Sequence, residues 1–398
     1  MSRTLIALFG DYPSAMRHYK SLVADELAER GRQLTEQLLQ EVLEHEMDEY
    51  CRAAWHERRP ERRDWRNGSY RRCLRTRLGT FELEVPRSRA GGFRSRLLPR
   101  ARQVAPELDQ GIRQLYLRGV STRQVGALLK VLCGSGVSAS TVSRITRALD
   151  AELARFQRRP IEDRYRYLLL DGVYLPVKKA RGAKREPLLV AYGIDASGRR
   201  QVVDFRLART ESEAAWTHFL TSLYTRGLHG ERLELIITDG ASGLIRAVET
   251  VYPLVARQRC WAHMMRNVVA ACPKRLAEPV AQAARKIYLA STRREALAHC
   301  TAFKRRFEHR VPTAVRKIER ALDELVAFLS CPPSERRAVR TTNAIERLFV
   351  ELRRRLRPMG CLPNAPCAER IGYAVCATYN ARRHRLGPNR QTTTAQAA

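Results

Sequence analysis

The sequence has no long hydrophobic run and no cysteine pattern that indicates a zinc ribbon or a disulfide framework. Near its start the longest apolar stretch, Leu5 to Phe9, is too short for a signal sequence or a transmembrane helix. The ten cysteines are scattered without paired spacing, and there is neither a low-complexity tract nor an internal repeat. We therefore expect a protein of the reducing cytoplasm with no membrane partner.

Acidic residues are few in comparison with basic ones. The 398 residues contain 73 Lys plus Arg against 41 Asp plus Glu, a formal net charge of +32, and only nine of the basic residues are lysines. A hydrophobic content of 44% is that of a globular protein, so this charge does not indicate disorder. It predicts a polyanionic partner, and nucleic acid first, because contacts to phosphates release counterions. Arginine suits phosphates and guanine edges, although a GC-rich genome produces the same bias.

Two apolar segments each lead into an aspartate that is followed by glycine. Residues 168–170 precede Asp171, and residues 235–238 precede Asp239. Such runs are typical of strands buried on both faces, where a carboxylate needs a partner or a cation. A single Asp-Gly pair is more often the turn of a hairpin. Two of them indicate a shared metal site.

A third acid, Glu346, lies in an arginine-rich segment shortly after Asn343. An Asn followed three residues later by Glu is close to a capping box, so Glu346 could instead stabilise the start of a helix. Three carboxylates that converge at the end of a sheet form a hard-oxygen site, suited to two ions of Mg²⁺ or Mn²⁺. Two such ions can activate water or a 3′-hydroxyl and stabilise the leaving oxygen of a phosphodiester.

The second half of the chain predicts a mixed sheet that is interrupted by helices. Residues 160–263 have the pattern of three antiparallel strands, a helix, a strand and a helix, which is typical of the first part of a ribonuclease-H-like catalytic domain. Residues 264–339 have almost no strand signal and predict an all-α insertion. Residues 340–385 hold the last helices of the catalytic domain, and 386–398 form a tail. The fold class is therefore α+β or α/β.

Three regions precede this predicted domain. Residues 1–57 have the near-helical spacing of a long helix, suited to packing or to forming a dimer. Residues 58–105 are rich in arginine and contain a hairpin-like pattern. Residues 106–155 predict three short helices in the order of a helix-turn-helix. The alternatives are a solvated charged face for the second region and an ordinary three-helix bundle for the third.

Double-stranded DNA is the partner predicted for these regions and for the helix near Glu346. Phosphate contacts would supply most of the affinity, and the predicted helix 139–149 would lie in the major groove. The predicted DNA-binding residues are Arg71, Arg72, Arg87, Arg123, Ser140, Ser143, Arg144, Arg147, Arg347, Arg353 and Arg354.

A set of short stretches occurs along the chain in the order Asn67–Arg72, Val85–Arg87, Gly119–Arg123, Leu170–Tyr174, Thr238–Gly240, Gln258–His263 with Arg266-Asn267, and Arg340–Arg347. The last two stretches are the most specific at their separation. In this order the stretches together resemble the Mutator-type transposases of bacterial insertion sequences, members of the acid-triad (DDE) superfamily.

The resemblance implies a ribonuclease-H-like catalytic domain with a helical insertion, and Asp171, Asp239 and Glu346 as its catalytic, metal-binding triad. It also implies DNA cleavage and strand transfer at terminal inverted repeats, in a bacterial cytoplasm and in association with the nucleoid. Transposases of this kind usually act as dimers or larger assemblies on paired ends, so a homodimer or higher oligomer is expected. The chain departs from the family pattern near residues 328–339.

Cys260 and His263 match the family's C-x-x-H block. No obvious second pair of ligands accompanies them, so a zinc site is the weaker interpretation. We predict structural or positioning roles for both residues and for Asn343.

Two other functions are compatible with the sequence. A decayed or domesticated transposase could bind inverted repeats and repress without any chemistry. A metal-dependent nuclease could cut DNA and not join it. The presence of all three acids argues against decay.

Overall fold

A computed structural model describes residues 12–98, 104–118, 120–133 and 136–386. Gly119 and all of the predicted tail except its first residue therefore lie outside the described residues. The chain divides into two compact units, Met1–Thr146 and Arg147–Ala398. In the part of the chain that the structure describes, no helix has the length and apolarity needed to cross a bilayer.

The first unit begins with a long helix and a hairpin. These elements are α1 (Tyr12–Cys51), β1 (Arg66–Thr76) and β2 (Gly79–Ser88). The two strands pair in antiparallel register. Alternate residues of β2, among them Phe81 and Leu83, are buried in one cluster with Leu43 and Met47 of α1. The predicted long helix and hairpin are confirmed, although α1 ends at Cys51, six residues before the predicted boundary.

Three short helices complete the first unit, as the sequence predicts: α2 (Pro106–Leu117), α3 (Thr122–Cys133) and α4 (Ala139–Thr146). Ser121 and Gln124 form a capping box at α3, because Ser121 Oγ accepts from the Gln124 N–H at 3.3 Å and Gln124 Oε1 accepts from the Ser121 N–H at 3.1 Å. The predicted extension of the third helix to residue 149 is wrong. Arg147 and Ala148 form a turn, so Arg147 is not part of the helix predicted to read DNA.

Gly126 of α3 lies where α3 closely approaches the segment before α4. A Cβ added there would lie 2.4 Å from the Val137 carbonyl oxygen, whereas one added at Gly111 of α2 would meet nothing within 4 Å. We expect Gly126→Ala to lower the free energy of unfolding by about 1–3 kcal/mol, since backbone must shift. Gly111→Ala should raise it by up to about 1 kcal/mol through helix propensity. Chemical denaturation of both variants measures the difference, and equal effects would contradict the close approach.

The second unit is built on a five-stranded mixed sheet. Its strands are β3 (Tyr165–Lys179), β4 (Gly182–Asp195), β5 (Arg200–Leu207), β6 (Leu235–Thr238) and β7 (Ala256–Arg259). The spatial order is β5-β4-β3-β6-β7; β3, β4 and β5 form an antiparallel meander, and β6 and β7 are added in parallel. The predicted meander and the strand before Asp239 are confirmed. The sequence does not predict β7, because Ala-Arg-Gln-Arg has no hydrophobic alternation.

Helices cover both faces of this sheet. One buried stripe of α6 (Glu213–Thr225), made of Trp216, Phe219, Leu220 and Leu223, shares a core with Leu168 and Leu170 of β3. On α15 (Ala365–Leu386) a Cβ at Gly372 would lie only 3.0 Å from the ring of Phe205 in β5. The helices of this unit are α5 (Leu149–Arg158), α6 (Glu213–Thr225), α7 (Ser242–Val251), α8 (Trp261–Ala270), α9 (Lys274–Leu289), α10 (Arg293–Phe307), α11 (Pro312–Arg320), α12 (Leu322–Val326), α13 (Pro333–Val339), α14 (Asn343–Leu356) and α15 (Ala365–Leu386), with 3₁₀ turns at Ala327–Ser330 and Arg357–Met359.

The helical structure predicted for residues 264–339 is confirmed. All of the residues 264–339 are described, and they contain helices and turns with no strand. The architecture is thus α+β with a mixed sheet. The more specific ribonuclease-H-like assignment stays a prediction from the resemblance.

Candidate active site

Strands β3 and β6 bring the two aspartates close together. Leu169 of β3 pairs with Ile237 of β6 in parallel register. Because β6 ends at Thr238, Asp239 directly follows β6, next to the part of β3 that holds Asp171. Asp171 lies inside the 15-residue strand β3, so the hairpin-turn interpretation is wrong for it. Asp239 begins the turn into α7, where its Oδ1 accepts a hydrogen bond from the Ala241 N–H at 2.9 Å.

The carboxylate of Asp171 is buried, and only one of its two oxygens accepts a hydrogen bond. Asp171 is only 5% exposed. Oδ1 accepts a hydrogen bond from the Gly172 N–H at 2.8 Å, whereas the buried Oδ2 has no hydrogen-bond partner. Burial raises the pKa of Asp171 to about 6. Asp239 adds to this increase, whereas His263, the nearby hydroxyl of Thr342 and the Gly172 N–H oppose it. A buried, unpartnered carboxylate oxygen fits a cation.

Asp171, His263 and Glu346 form a group that could hold a metal ion. One ligand atom from each lies within 4.8 Å of the other two. The Nδ1 atom of His263 is also buried without a hydrogen-bond partner. Asp239 is not part of this three-residue group, but it is close enough to raise the pKa of Asp171. The structure therefore brings the first and third predicted acids together and adds a histidine, with the second acid beside them.

Glu346 is neutralised by two arginines. Its Oε1 lies 3.4 Å from Nη2 of Arg266, and its Oε2 lies 3.5 Å from Nη2 of Arg353. The capping-box interpretation is wrong, because the N-cap of α14 is Thr342 and Asn343 is already inside the helix. The buried Thr342 hydroxyl lies 3.4 Å from the sulfur of Cys260.

Cys260 connects three segments around the site. Its N–H donates to the Thr238 carbonyl oxygen at the end of β6 at 2.7 Å. Its sulfur accepts a hydrogen bond from the Thr342 N–H at 3.2 Å, beside the start of α14. The Cys260 thiol raises the pKa of His263 on α8, against the effect of burial, and Asp171 adds to the increase. Cys260 is thus placed to position His263 and the start of α14.

The predicted DNA-binding arginines of the hairpin lie at its surface and in a groove. Arg72 and Arg87 line a groove of about 640 Å³ together with Tyr70 and Arg94. The Arg87 guanidinium lies 4.9 Å from the centre of the Tyr70 ring, a cation–π geometry. Arg71 is exposed on β1 near two glutamates of β2.

The other predicted DNA-binding residues lie on α3, α4 and α14 and in the turn after α4. Ser143 is half-buried. The exposed ones are Arg123, Ser140, Arg144, Arg147, Arg347, Arg353 and Arg354. Arg354 makes two hydrogen bonds of 3.0 Å to Glu351.

Glu211 is a further acid near the site that sequence reasoning misses. Helix α6 begins at Glu213 with Ser212 as its N-cap, whose Oγ accepts a hydrogen bond from the Ala215 N–H at 3.3 Å. Glu211 therefore precedes the helix, and its carboxylate lies against Gly172. The glycine after Asp171 is the one signal in the sequence that a neighbour approaches closely there.

Fold and site together define an α+β protein with a cluster of carboxylates and one imidazole at the end of a mixed sheet. A family model described as "Transposase, Mutator family" matches residues 14–383. The chain therefore belongs to the Mutator family of transposases, as the resemblance predicts.

Curated relatives agree with this family. The transposase for insertion sequence element ISRM5 of Rhizobium meliloti is 37% identical over 344 residues, which is 86% of this chain and 86% of that protein. The transposase for IS406 of Burkholderia multivorans is 34% identical over 343 residues, 85% of this chain and 88% of that protein. The transposase for IS256 in transposon Tn4001 of Staphylococcus aureus is 32% identical over 342 residues, 84% of this chain and 86% of that protein.

Proposed function

We propose that this chain binds the terminal inverted repeats of an insertion sequence and catalyses metal-dependent DNA strand cleavage and strand transfer. Asp171, Asp239 and Glu346 are the catalytic acids. The observation that carries the proposal is the group of Asp171, His263 and Glu346, with Asp239 close enough to raise the pKa of Asp171. The unpartnered Oδ2 of Asp171 fits a divalent cation better than a structural role, because a buried carboxylate oxygen without a partner is costly.

The residues of the site would have different roles at the reacting phosphodiester. When bound, two ions of Mg²⁺ or Mn²⁺ would activate the attacking oxygen and stabilise the leaving oxygen. Asp171 inside β3 and Asp239 directly after β6 would hold the cations, and Glu346 would complete the site from α14. Arg266 and Arg353 form ion pairs with Glu346 in this structure and would bind DNA phosphates once Glu346 holds a cation.

A cleavage and joining assay tests this function. The substrate is end-labelled DNA taken from either side of the coding sequence, mixed with a supercoiled target plasmid and the full-length chain. We expect nicked ends and joined products in Mg²⁺ and neither in excess chelator. Cleavage without joined products would instead indicate a nuclease, and binding without cleavage in Mg²⁺ or Mn²⁺ would indicate a DNA-binding repressor. Either result would overturn the proposal.

Sequence-specific binding should depend on α4. We expect Arg144→Ala, an exposed position on this helix, to weaken binding to end DNA by about 1–3 kcal/mol more than binding to random DNA, as for a base contact. Arg147→Ala serves as the matched control, because Arg147 lies in the turn after the helix. It should weaken both DNAs alike, as a phosphate contact does. Fluorescence anisotropy measures the affinity of both variants for both DNAs. If Arg144→Ala loses the same affinity for end DNA and for random DNA, α4 does not read bases in the major groove.

A further inference from the structure

The residue after Asp171 is a glycine that leaves room for another carboxylate. A Cβ built on Gly172 would lie 2.8 Å from Oε1 and 3.4 Å from Oε2 of Glu211. Gly172 is not among the residues with positive φ, so its backbone conformation does not require glycine. What requires glycine is the approach of Glu211 to β3, one residue beyond Asp171.

The start of α6 is held firmly in this place. A Cβ on Gly243 would lie 2.9 Å from the Glu213 backbone nitrogen, so the first residues of α6 pack directly on the start of α7. Arg246 of α7 also forms an ion pair with Glu213 at 3.1 Å. The start of α7 directly follows the turn that carries Asp239, and the hydroxyl of Tyr174 approaches the Glu211 carboxylate.

Glu211 belongs electrostatically to the acid site. Burial is the main cause of its raised pKa; Asp239 raises the pKa further and His263 lowers it. Among the residues that the structure describes, no cationic group lies within 4.0 Å of the carboxylates of Glu211, Asp239 or Asp171, although the chain carries a net charge of +32. Glu346, by contrast, has two arginines. Three neighbouring acids without arginine partners, in so basic a protein, are arranged for a cation of another kind.

We propose that Glu211 is a fourth carboxylate of the metal site, acting beside Asp239, and that Gly172 is a glycine in order to admit it. This inference rests on the proposed function, which places divalent cations at Asp171, Asp239 and Glu346. Carboxylate ligands from four separate segments suit hard cations such as Mg²⁺ and Mn²⁺.

Mn²⁺ binding to the full-length protein tests the proposal without any measurement of activity. We expect Glu211→Gln to weaken binding at one site by roughly 10- to 100-fold, as measured by calorimetry and by the Mn²⁺ paramagnetic resonance signal. The matched control is Glu213→Gln, two residues further on, exposed and paired with Arg246. This control should bind Mn²⁺ like the wild type.

A second variant moves Glu211 and changes no charge. The atom that a Cβ at Gly172 would meet first is the end of the flexible Glu211 side chain, so Gly172→Ala should displace the carboxylate and leave the fold intact. It should weaken Mn²⁺ binding as Glu211→Gln does. The double variant that carries both changes should bind Mn²⁺ no more weakly than either single variant. If Glu211→Gln has a lower melting temperature than the wild type in chelator, its weaker Mn²⁺ binding does not by itself identify a ligand. The Mn²⁺ affinity of Gly172→Ala then decides whether Glu211 is a ligand.

The outcomes separate this inference from the proposed function. If Asp171→Asn abolishes tight Mn²⁺ binding while Glu211→Gln and Gly172→Ala bind like the wild type, Glu211 is no ligand and the triad stands. If Asp171→Asn also binds like the wild type, the metal site itself is wrong and both proposals fall.

Discussion

Replacing Glu346 by glutamine should reduce cleavage and strand transfer in Mg²⁺ by about 10³-fold or more. The change removes a charged oxygen ligand and keeps the shape of the side chain, and charge stabilisation by catalytic metal ions is worth several kcal/mol. Folding should hardly change, because the Glu346 side chain is 30% exposed and its two arginine contacts are long. Exposed ion pairs of this kind contribute up to about 1 kcal/mol.

Glu351 offers a matched control on the same helix. Its carboxylate also binds two arginines, Arg354 at 3.0 Å and Arg355 at 3.1 Å, and it is not part of the metal-binding group. Glu351→Gln should therefore keep most of the cleavage activity. Cleavage rate, melting temperature and end binding should be measured for both variants. Near-normal cleavage by Glu346→Gln would show that Glu346 is not part of the catalytic site.

Asp171→Asn should abolish cleavage and, in the absence of metal, make the protein more stable. Burial raises the pKa of Asp171 from 3.8 to about 6. Between these values the folded protein keeps a proton that the unfolded chain releases, so stability falls as pH rises. Above pH 6 the charged form carries the full cost, roughly 3 kcal/mol. Asparagine has no such titration, although its amide must still be accommodated, and we expect a gain of about 1–3 kcal/mol near neutral pH.

Urea denaturation in chelator at about pH 4.5 and about pH 7.5 measures this effect. The stability difference between Asp171→Asn and wild type should be larger at the higher pH. Mn²⁺ should raise the melting temperature of the wild type and not of the variant, because a ligand stabilises only the state that binds it.

For Asp204, a buried acid of β5, we expect the opposite effect on stability. It is also buried, but it forms an ion pair with Arg226, so Asp204→Asn should destabilise the protein by leaving a buried guanidinium without its partner. A loss of stability for both variants would show that Asp171 is a structural acid.

Local pattern was sufficient to predict most of the secondary structure. The apolar run at 168–170, the alternation in β2 and the small polar residues before α3 and α4 each specify an element through its own residues. The meander, the helical insertion and the long first helix therefore follow from hydrophobic periodicity. The order of the motifs also indicates the family, because that order is a property of the sequence alone.

Contacts between distant residues could not be predicted in this way. β7 has no hydrophobic alternation and becomes a strand only because β6 offers a parallel edge. Whether Glu346 caps a helix or faces Asp171 is decided by where α14 begins, and the residue at that point, Thr342, is contacted by Cys260, which lies 82 residues earlier in the chain. Periodicity describes which side of an element is buried, not which other element covers it.

By itself, then, the sequence determined the aspartate inside β3, the aspartate directly after β6, the basic composition and the order of the elements, because these depend on neighbouring residues and on composition. Only the tertiary structure decided that His263 joins Asp171 and Glu346, and that Glu211 lies against Gly172. These groupings bring together residues from separate strands and helices. A free carboxylate oxygen such as Oδ2 of Asp171 exists only once burial has removed the water that would otherwise bind it.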